Sequence, residues 1–415
     1  MKIAVLGAGI VGITTAYQLL KDGHQVTVID REPEPANFTS FSNAGLVAPG
    51  HAYAWASPAA PGMMWRSQWR NDQAIRFKPR LDTRQWSWIR KFLSECTAER
   101  AVINTRNKAR LSIYSQQMLN EVGAETRLPY DRVSGGLLYF FRTPASFERG
   151  SKKADLLRNA GIKIDTLSSD EIIAKDPGLR PAAQQIAGGL YVKSDEGGDC
   201  RIFAHGLAEK CRAMGADIKL GTTITRIETR NGEVTHVETS AGRIAADAFV
   251  LALGVFSPDL AKQLGIRLPV YPVKGYAMTI PISDKSKVAR LGGVDEDNLL
   301  AYCPFDGRLR VTATAEIAGY DNSHKPSDFR VMKDRTARLF PEGLDWATAS
   351  YWAGLRPMTP TAMPIVDRSP ISNLWLNTGH GHMGWTMSNG SARILADLIG
   401  QRRPAIDTEG LRYEH

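Results

Sequence analysis

The first 30 residues carry the pattern that most restricts how this chain can fold. A short apolar run, Lys2 to Leu6, is followed by glycines at positions 7, 9 and 12, and the apolar spacing then predicts a helix from Ile13 to Leu20. A second apolar run, Gln25 to Ile29, ends at Asp30. Strand, glycine turn, helix, strand and acid in this order predict a βαβ unit that binds a dinucleotide.

Each glycine has an expected role in that unit. Gly7 permits the tight turn, Gly9 lets a pyrophosphate approach the backbone, and Gly12 lets the helix pack closely on the strand. Positive partial charge at the start of the helix then meets the phosphates. This pattern alone does not separate FAD from NAD. The residues expected to contact the adenosine diphosphate half of the cofactor are Gly7, Ala8, Gly9, Ile10, Val11, Gly12, Asp30 and Arg31.

Length and composition indicate a globular enzyme of two domains. The chain has 415 residues, of which 43% are hydrophobic and 23% charged. Its formal charge of +9 favours anionic surfaces or acidic ligands. Nucleic acid is not an expected partner, because the sequence contains no recognised binding module or dense lysine block.

The cysteines and the apolar runs indicate the expected compartment. Cys96, Cys200, Cys211 and Cys303 are widely scattered, and their spacing suits neither zinc nor a redox pair. Apolar runs of about 18 residues, the length that spans a membrane, do not occur. We expect a reducing, cytoplasmic setting and no metal site.

A basic stretch rich in tryptophan, residues 65–110, leaves two interpretations open. It holds four tryptophans among twelve arginines and lysines and only four acids. Aromatic rings beside cations suit the inner face of the cytoplasmic membrane, where rings lie at headgroup depth and cations meet anionic lipid. The same pattern is equally typical of a helix packed on its own protein with solvated arginines.

The order of predicted elements indicates an α/β fold whose domains are discontinuous in sequence. The apolar run Phe249 to Gly254 restores a buried parallel-strand pattern far from the first one, whereas alternating residues in 268–280 and 300–314 predict an antiparallel sheet. We therefore expect a Rossmann-type dinucleotide domain and an α+β domain built on a mixed, largely antiparallel sheet. The predicted division is 1–48, 186–260 and 350–415 for the first, and 49–185 with 261–349 for the second.

A glycine-rich loop near the carboxyl end predicts a second cofactor contact. The loop, Gly379 to Thr386, opens an apolar helix predicted from Met387 to Leu398, so backbone amides and a helix start there can face a negative charge. A reduced flavin carries such a charge, whereas a nicotinamide does not need this loop. Two histidines in it lack a third ligand for a metal, and their setting favours a cofactor-loop role, for His380 more than His382.

Arg356 is the candidate anchor for a substrate. It stands between Leu355 and Pro357 in an apolar segment, and a buried guanidinium requires an acceptor that its fork can hold in two hydrogen bonds. A carboxylate of the substrate meets this requirement. A structural ion pair with an internal acid is the alternative.

Together these stretches resemble the D-amino-acid oxidase superfamily of FAD-dependent oxidoreductases, and within it the bacterial D-amino-acid dehydrogenases of the small-subunit type. The resemblance implies a Rossmann-type FAD domain of the GR2 kind joined to a mixed-sheet substrate domain. The matching stretches cover almost the whole chain: 5–12, 40–55, 198–200, 271–276, 314–321, 354–360 and 377–387.

The resemblance also implies roles for individual residues. Arg356 would bind the substrate carboxylate with help from Tyr302, and His51, Tyr53 and Tyr276 would line the substrate site. The residues expected near the flavin or elsewhere on FAD are Ser42, Asn43, Ala44, Ile224, Gly254, Gly379, His380, Gly381, Gly384, Trp385 and Thr386.

The implied reaction is oxidative deamination of D-amino acids to 2-oxo acids and ammonia, by hydride transfer from Cα to flavin N5. Electrons would pass to a quinone or another non-oxygen acceptor, directly or through a partner protein. Two departures, at His51 and at Thr361 to Met363, leave the side-chain specificity open. A cyclic D-imino acid such as D-proline or cis-4-hydroxy-D-proline is therefore the alternative substrate. A non-catalytic or tRNA-modifying flavoprotein is a third hypothesis, but it requires a nucleic-acid surface that the sequence does not show.

Overall fold

A computed structural model of the chain describes residues 1–67 and 75–414. The strands are β1 (Lys2–Leu6), β2 (Gln25–Ile29), β3 (Leu46–Val47), β4 (Ile75–Phe77), β5 (Leu137–Phe141), β6 (Asp165–Leu167), β7 (Gly188–Val192), β8 (Glu196–Gly197), β9 (Asp217–Lys219), β10 (Ile224–Arg230), β11 (Glu233–Thr239), β12 (Gly242–Ile244), β13 (Ala248–Leu251), β14 (Tyr271–Pro281), β15 (Gly292–Asp295), β16 (Leu300–Phe305), β17 (Arg308–Ile317), β18 (Ser350–Met358), β19 (Ile365–Arg368) and β20 (Leu374–Thr378). The α-helices are α1 (Ile10–Lys21), α2 (Ala60–Arg66), α3 (Thr83–Ser94), α4 (Ala98–Thr126), α5 (Pro144–Arg158), α6 (Ser169–Lys175), α7 (Cys200–Ala213), α8 (Ser257–Gln263), α9 (Arg330–Leu339) and α10 (Gly384–Ile399).

The predicted βαβ unit forms the centre of a six-stranded sheet with the order β19-β20-β13-β1-β2-β9. β1 pairs in parallel with both β2 and β13, and only β19 runs antiparallel to its neighbour. Four of the five residues of β1 are buried, as expected for a central parallel strand covered on both faces. α1 begins at Ile10, three residues before the predicted start, because the helix follows directly on the glycine turn.

A second, larger sheet has nine strands and is mixed but largely antiparallel, as predicted. Its main order is β18-β14-β17-β16-β15-β5-β7-β6, and β4 pairs with β17. The parallel pairs within it are β15 with β5 and β17 with β4. β10, β11 and β12 form a separate antiparallel sheet of three strands.

Two strands lie in a different sheet from the one that the sequence division implied. β7 and β18 fall within ranges assigned to the dinucleotide domain, yet β7 pairs with β5 and β18 pairs with β14 in the nine-stranded sheet. Apolar runs reveal a strand but not its pairing partner, since pairing is set by contacts distant in sequence. The pairing of β18 matters for function, because it carries Arg356 into the large sheet.

The long helix α4 packs against both α10 and α5. Although its sequence lies in the predicted substrate domain, α4 packs on α10, where Ser115 Oγ accepts a hydrogen bond of 2.9 Å from the Gly390 amide. α10 packs in turn on α1. Across residues 1–67 and 75–414, none of the helices is long and apolar enough to cross a membrane.

Candidate active site

The glycine turn after β1 has the close contacts that its motif requires. Gly7 has a φ of 113°, and its amide donates to the carbonyl oxygen of Ile29 at 2.8 Å. A Cβ on Gly12 would lie 1.9 Å from the Gly7 carbonyl oxygen, so only glycine lets α1 approach the turn this closely. The turn is therefore held at the carboxyl ends of β1 and β2, where open α/β sheets bind their ligands.

A cavity of about 390 Å³, which we call the nucleotide cavity, opens beside this turn. Asp30 lies on it with its carboxylate held by the amides of Ala8 at 2.6 Å and Glu32 at 2.9 Å. Burial raises the pKa of Asp30, although these two hydrogen bonds oppose the rise. The expected cofactor residues that line the cavity are Gly7, Gly9, Ile10, Val11, Asp30, Arg31, Ile224, Gly254, His380, Gly381 and Gly384.

Three of the expected cofactor residues do not line either described cavity. Ala8 is fully buried, and its amide positions the Asp30 carboxylate. Gly12 packs on the turn, and a Cβ on Gly379 would lie 2.7 Å from the Thr359 side chain. These three residues support the residues that line the cavities and do not face the cavities themselves.

A second cavity of about 330 Å³, the substrate cavity, adjoins the first. The expected residues on its wall are Ser42, Asn43, Ala44, His51, Tyr53, Tyr276, Arg356, Trp385 and Thr386. The residues that line both cavities are Ile10, Thr39, Ser40, Gly381 and Gly384. The glycine turn near residue 7 and the loop near residue 381 therefore face one continuous space, although almost the whole chain separates them.

Arg356 lies half-buried in the wall of the substrate cavity. Its Nη1 donates to the carbonyl oxygen of Thr314 at 3.1 Å, and its guanidinium packs on Gly275, where a Cβ would lie 2.4 Å from Nη2. Burial lowers the pKa of Arg356 to about 10, so the side chain stays protonated at neutral pH. Within the described ranges no carboxylate forms an ion pair with Arg356. The structure therefore shows no internal acid there that would make Arg356 a purely structural ion pair.

Tyr302 is not part of the substrate cavity, contrary to the expectation from the resemblance. Its ring is fully buried on the opposite side of the large sheet, where it packs against Phe340 at a centroid distance of 5.5 Å. Its neighbour Ala301 lines the cavity instead. Successive side chains of a strand point to opposite faces, so the tyrosine and the cavity lie on different sides of β16.

The two histidines of the carboxyl-terminal loop are held neutral. His380 shares a hydrogen bond of 2.8 Å with the Ser391 hydroxyl, and burial lowers its pKa to about 3. His382 stacks on Trp55 at 4.8 Å, and burial together with the charge of Lys108 places its pKa well below the ordinary value. The described residues include no group of side chains arranged to hold a metal ion.

Known proteins resemble this chain over almost its whole length. The sequence pattern of the DAO family, described as FAD-dependent oxidoreductases, matches residues 2–398. The chain belongs to this family. It is 46% identical over 415 residues to D-amino acid dehydrogenase 2 of Mesorhizobium japonicum, with all of both chains covered. It is 44% identical over 411 residues to a D-amino acid dehydrogenase of Rhizobium johnstonii, with 99% of each chain covered.

Solved structures of low sequence identity share the fold of this DAO-family chain. Glycine oxidase from Geobacillus kaustophilus superposes with a TM-score of 0.78 at 21% identity, over 100% of this chain and 98% of that one. L-proline dehydrogenase from P. horikoshii gives a TM-score of 0.77 at 16% identity, over 99% and 96% of the two chains. The predicted fold class is confirmed.

The residues of this DAO-family chain fit FAD, the cofactor that the family uses. An elongated dinucleotide requires both a glycine turn that admits a pyrophosphate and a separate place for the flavin ring, and the adjoining cavities offer both. The Trp385 Nε1 is buried on the wall of the substrate cavity, and the described residues offer it no hydrogen-bond acceptor. A buried donor of this kind is costly unless a ligand satisfies it.

Sequence reasoning missed several polar residues of the site. Glu296 and Lys153 line the substrate cavity, and Lys108 lies behind His382 with 3.3 Å between Nζ and Nε2. None of these residues belongs to a glycine turn or to another local motif. Long-range packing alone brings them to the site, so no signal in the single sequence identified them.

Proposed function

We propose that this chain oxidises D-amino acids to 2-oxo acids and ammonia and passes the electrons to an acceptor other than oxygen. The single observation that carries the proposal is the half-buried Arg356 guanidinium, which faces the cavity next to the cofactor loop without an internal carboxylate partner in the described residues. A charged group in this position requires an anionic ligand, and an amino acid carboxylate matches its fork. The related proteins named D-amino acid dehydrogenases support the same class of substrate.

The protein groups bind and orient the substrate. FAD, when bound, supplies the acceptor for the hydride that leaves the substrate Cα. Arg356 holds the carboxylate, and the Thr314 carbonyl fixes the direction of the guanidinium. The buried walls limit access of water and hold the Cα at a fixed approach, which is the main requirement of a hydride transfer. Water then hydrolyses the imino acid product to the 2-oxo acid and ammonia, and no protein group is required for this step.

A cyclic D-imino acid is the second candidate substrate. His51, Tyr53 and Trp55 line the same cavity, and the His51 and Tyr53 rings meet edge to face at 5.8 Å. Flat rings favour contact with a compact ring such as that of D-proline. This candidate uses the same anchor and the same chemistry, so the comparison of substrates decides between the two.

Contact with the inner face of the membrane would bring the protein to a quinone acceptor. Leu81, Trp86 and Leu93 are exposed within the basic stretch, and the exposed cations near them include Arg84 and Arg90. Trp65 is exposed as well, whereas Trp88 is buried and donates to the Met358 carbonyl oxygen. Trp69 lies outside the described residues. Exposed apolar side chains beside cations support a peripheral contact with anionic lipid.

Anaerobic reduction of the bound flavin tests the proposal. The purified protein is mixed without oxygen with linear D-amino acids, D-proline and the matching L-enantiomers, and loss of the oxidised flavin spectrum is followed. We expect rapid reduction by D-enantiomers only. The reduced protein is then mixed with oxygen or with a soluble quinone, and faster reoxidation by the quinone is expected. Reduction by no D-amino or D-imino acid would exclude the proposed activity.

A further inference from the structure

The mouth of the substrate cavity carries a polar cluster that is separate from Arg356. His51 Nε2 donates to Glu296 Oε1 at 2.9 Å, and the two side chains are 25% and 19% exposed. Lys153, on α5, lines the same opening and is exposed there. Its Nζ lies 4.0 Å from the centre of the Tyr53 ring. We call this set the mouth cluster: Glu296, His51 and Lys153.

The structure fixes the orientation of the mouth cluster. The His51 ring stacks on Tyr139 with 5.4 Å between centroids and an angle of 7°. Tyr139 is buried, and its hydroxyl donates to Asp195 Oδ2 at 2.6 Å. Asp195 also accepts from the amide of Gly50, the residue that precedes His51. Because both the ring and its backbone are held, His51 presents a fixed donor to Glu296.

The charges of the mouth cluster compensate one another. Burial alone would raise the pKa of Glu296, but the neighbouring His51 and Lys153 hold it below its ordinary value. The carboxylate and the ammonium group thus give an acceptor and a donor with little net charge. A charged ligand group would lie against a like charge on one of these two side chains, and an apolar group would remove water from both without replacing its hydrogen bonds.

We propose that the mouth cluster binds a hydroxyl group on the side chain of the substrate, so that the enzyme prefers hydroxylated D-amino or D-imino acids to their apolar counterparts. This inference rests on the proposed function, because it assumes that Arg356 holds the carboxylate of the same molecule. A hydroxyl both donates and accepts, so it can meet Glu296 and Lys153 together without adding charge.

Pairs of substrates of matched shape test the preference. D-threonine is compared with D-valine, and cis-4-hydroxy-D-proline with D-proline, by kcat/KM with an artificial electron acceptor. We expect the hydroxylated member of at least one pair to be preferred about tenfold or more, since a ligand that removes water from polar groups and leaves them unpaired binds less well. A preference for the apolar member in both pairs, or equal rates in both, would overturn the inference. Flavin reduction by none of the four and by no other D-amino acid would instead reject the proposed function.

Two variants show whether the mouth cluster causes the preference. Glu296→Gln retains the size of the side chain and removes the charge, and Lys153→Met changes a side chain exposed at the opening. Glu148→Gln on the outer surface of α5 is the matched control, since its side chain is 68% exposed. We expect Glu296→Gln and Lys153→Met each to lower the ratio of kcat/KM for the hydroxylated substrate to kcat/KM for its apolar counterpart by at least about threefold, because each loses part of one hydrogen bond. The control should keep the ratio of the parent. Unchanged ratios in Lys153→Met and in any Glu296→Gln protein that retains FAD would refute the assignment.

Discussion

Arg356 and Thr314 are joined across neighbouring parts of the large sheet by a hydrogen bond of 3.1 Å from the guanidinium to a backbone carbonyl. Thr314 has a φ of 63° and is the extra residue where Gly275 pairs with Ala315 but Tyr276 pairs with Ala313. Bulges redirect the groups at the residue that they insert. The irregularity in β17 therefore aims a carbonyl oxygen into the cavity, where it holds the proposed carboxylate anchor.

Replacing Arg356 is expected to weaken substrate binding strongly and to leave FAD binding unchanged. In Arg356→Ala we expect kcat/KM with D-amino acids to fall about 100-fold or more, because two charge-assisted hydrogen bonds contribute about 1.5 to 3 kcal/mol each. FAD content should be unchanged, since Arg356 does not line the nucleotide cavity. Arg243→Ala, at a side chain that is 75% exposed, is the matched control. Normal kinetics in Arg356→Ala would contradict the anchoring role.

The glycine turn is expected to tolerate no side chain at position 12. A Cβ there meets the Gly7 carbonyl oxygen at 1.9 Å, so Gly12→Ala should displace α1 from the turn and lose FAD. Gly123→Ala, in the last turn of α4, is the matched control, because a Cβ there meets no atom of the described residues within 4 Å. We expect the control to gain about 0.5 to 1 kcal/mol of stability, the usual effect of alanine for glycine in a helix. Flavin absorbance and thermal unfolding measure both outcomes, and full FAD content in Gly12→Ala would show that the turn relaxes.

The position of Tyr302 predicts that its hydroxyl is dispensable. The ring lies away from the cavity, and its buried Oη has no hydrogen-bond partner in the part of the chain that the structure describes. We expect Tyr302→Phe to retain the kcat/KM of the parent and to be equally or more stable, because an unsatisfied buried hydroxyl costs about 1 to 3 kcal/mol. Steady-state kinetics and urea unfolding test this. A large rise in KM for Tyr302→Phe would show that the hydroxyl contributes to substrate binding.

Lys108 is expected to make the stability depend on pH. Burial, with a smaller effect of Lys153, lowers its pKa from 10.5 to about 7. Between these two values the unfolded chain holds a proton that the folded protein lacks, so stability rises with pH in this window by up to about 1.4 kcal/mol per unit. Below pH 7 both states are protonated and the contribution is constant.

The variant Lys108→Met isolates that effect. Subtracting its free energy of unfolding from that of the parent cancels the other titrating groups. We expect the difference to shift in favour of the parent from pH 7 towards pH 10 and to be flat below pH 7. Lys210→Met, at an exposed lysine of α7, is the matched control. A flat difference for Lys108→Met above pH 7 would mean that Lys108 stays charged in the folded protein.

Membrane contact is expected to depend on the exposed leucines of the basic stretch. The double variant Leu81→Ser with Leu93→Ser should bind vesicles of phosphatidylglycerol and phosphatidylcholine more weakly than the parent, because it removes apolar groups that enter the interface. Ile202→Ser with Met214→Ser removes exposed apolar side chains elsewhere and serves as the control. Sedimentation with vesicles at low and high salt measures binding. Equal binding by both double variants would place the contact on another surface.

Local sequence was sufficient to predict the cofactor turn. Gly7, Gly9 and Gly12 lie between a strand and a helix, and each requirement involves residues only a few positions apart. The loop from Gly379 to Thr386 was likewise visible as glycines before a helix. Arg356 stood out in the same way as a cation between apolar neighbours, and the family resemblance assigned it the same role.

Only the tertiary structure decided which side chains share the substrate cavity. Tyr302 was expected there and faces the other side of β16, because one step along a strand reverses the direction of the side chain. Glu296 and His51 meet at 2.9 Å although 245 positions separate them, and no local pattern marks either as a partner of the other. The sequence by itself determined the glycine turn that we expect to receive the cofactor, since neighbouring residues form it, whereas pairing between distant strands determined the composition of the substrate pocket.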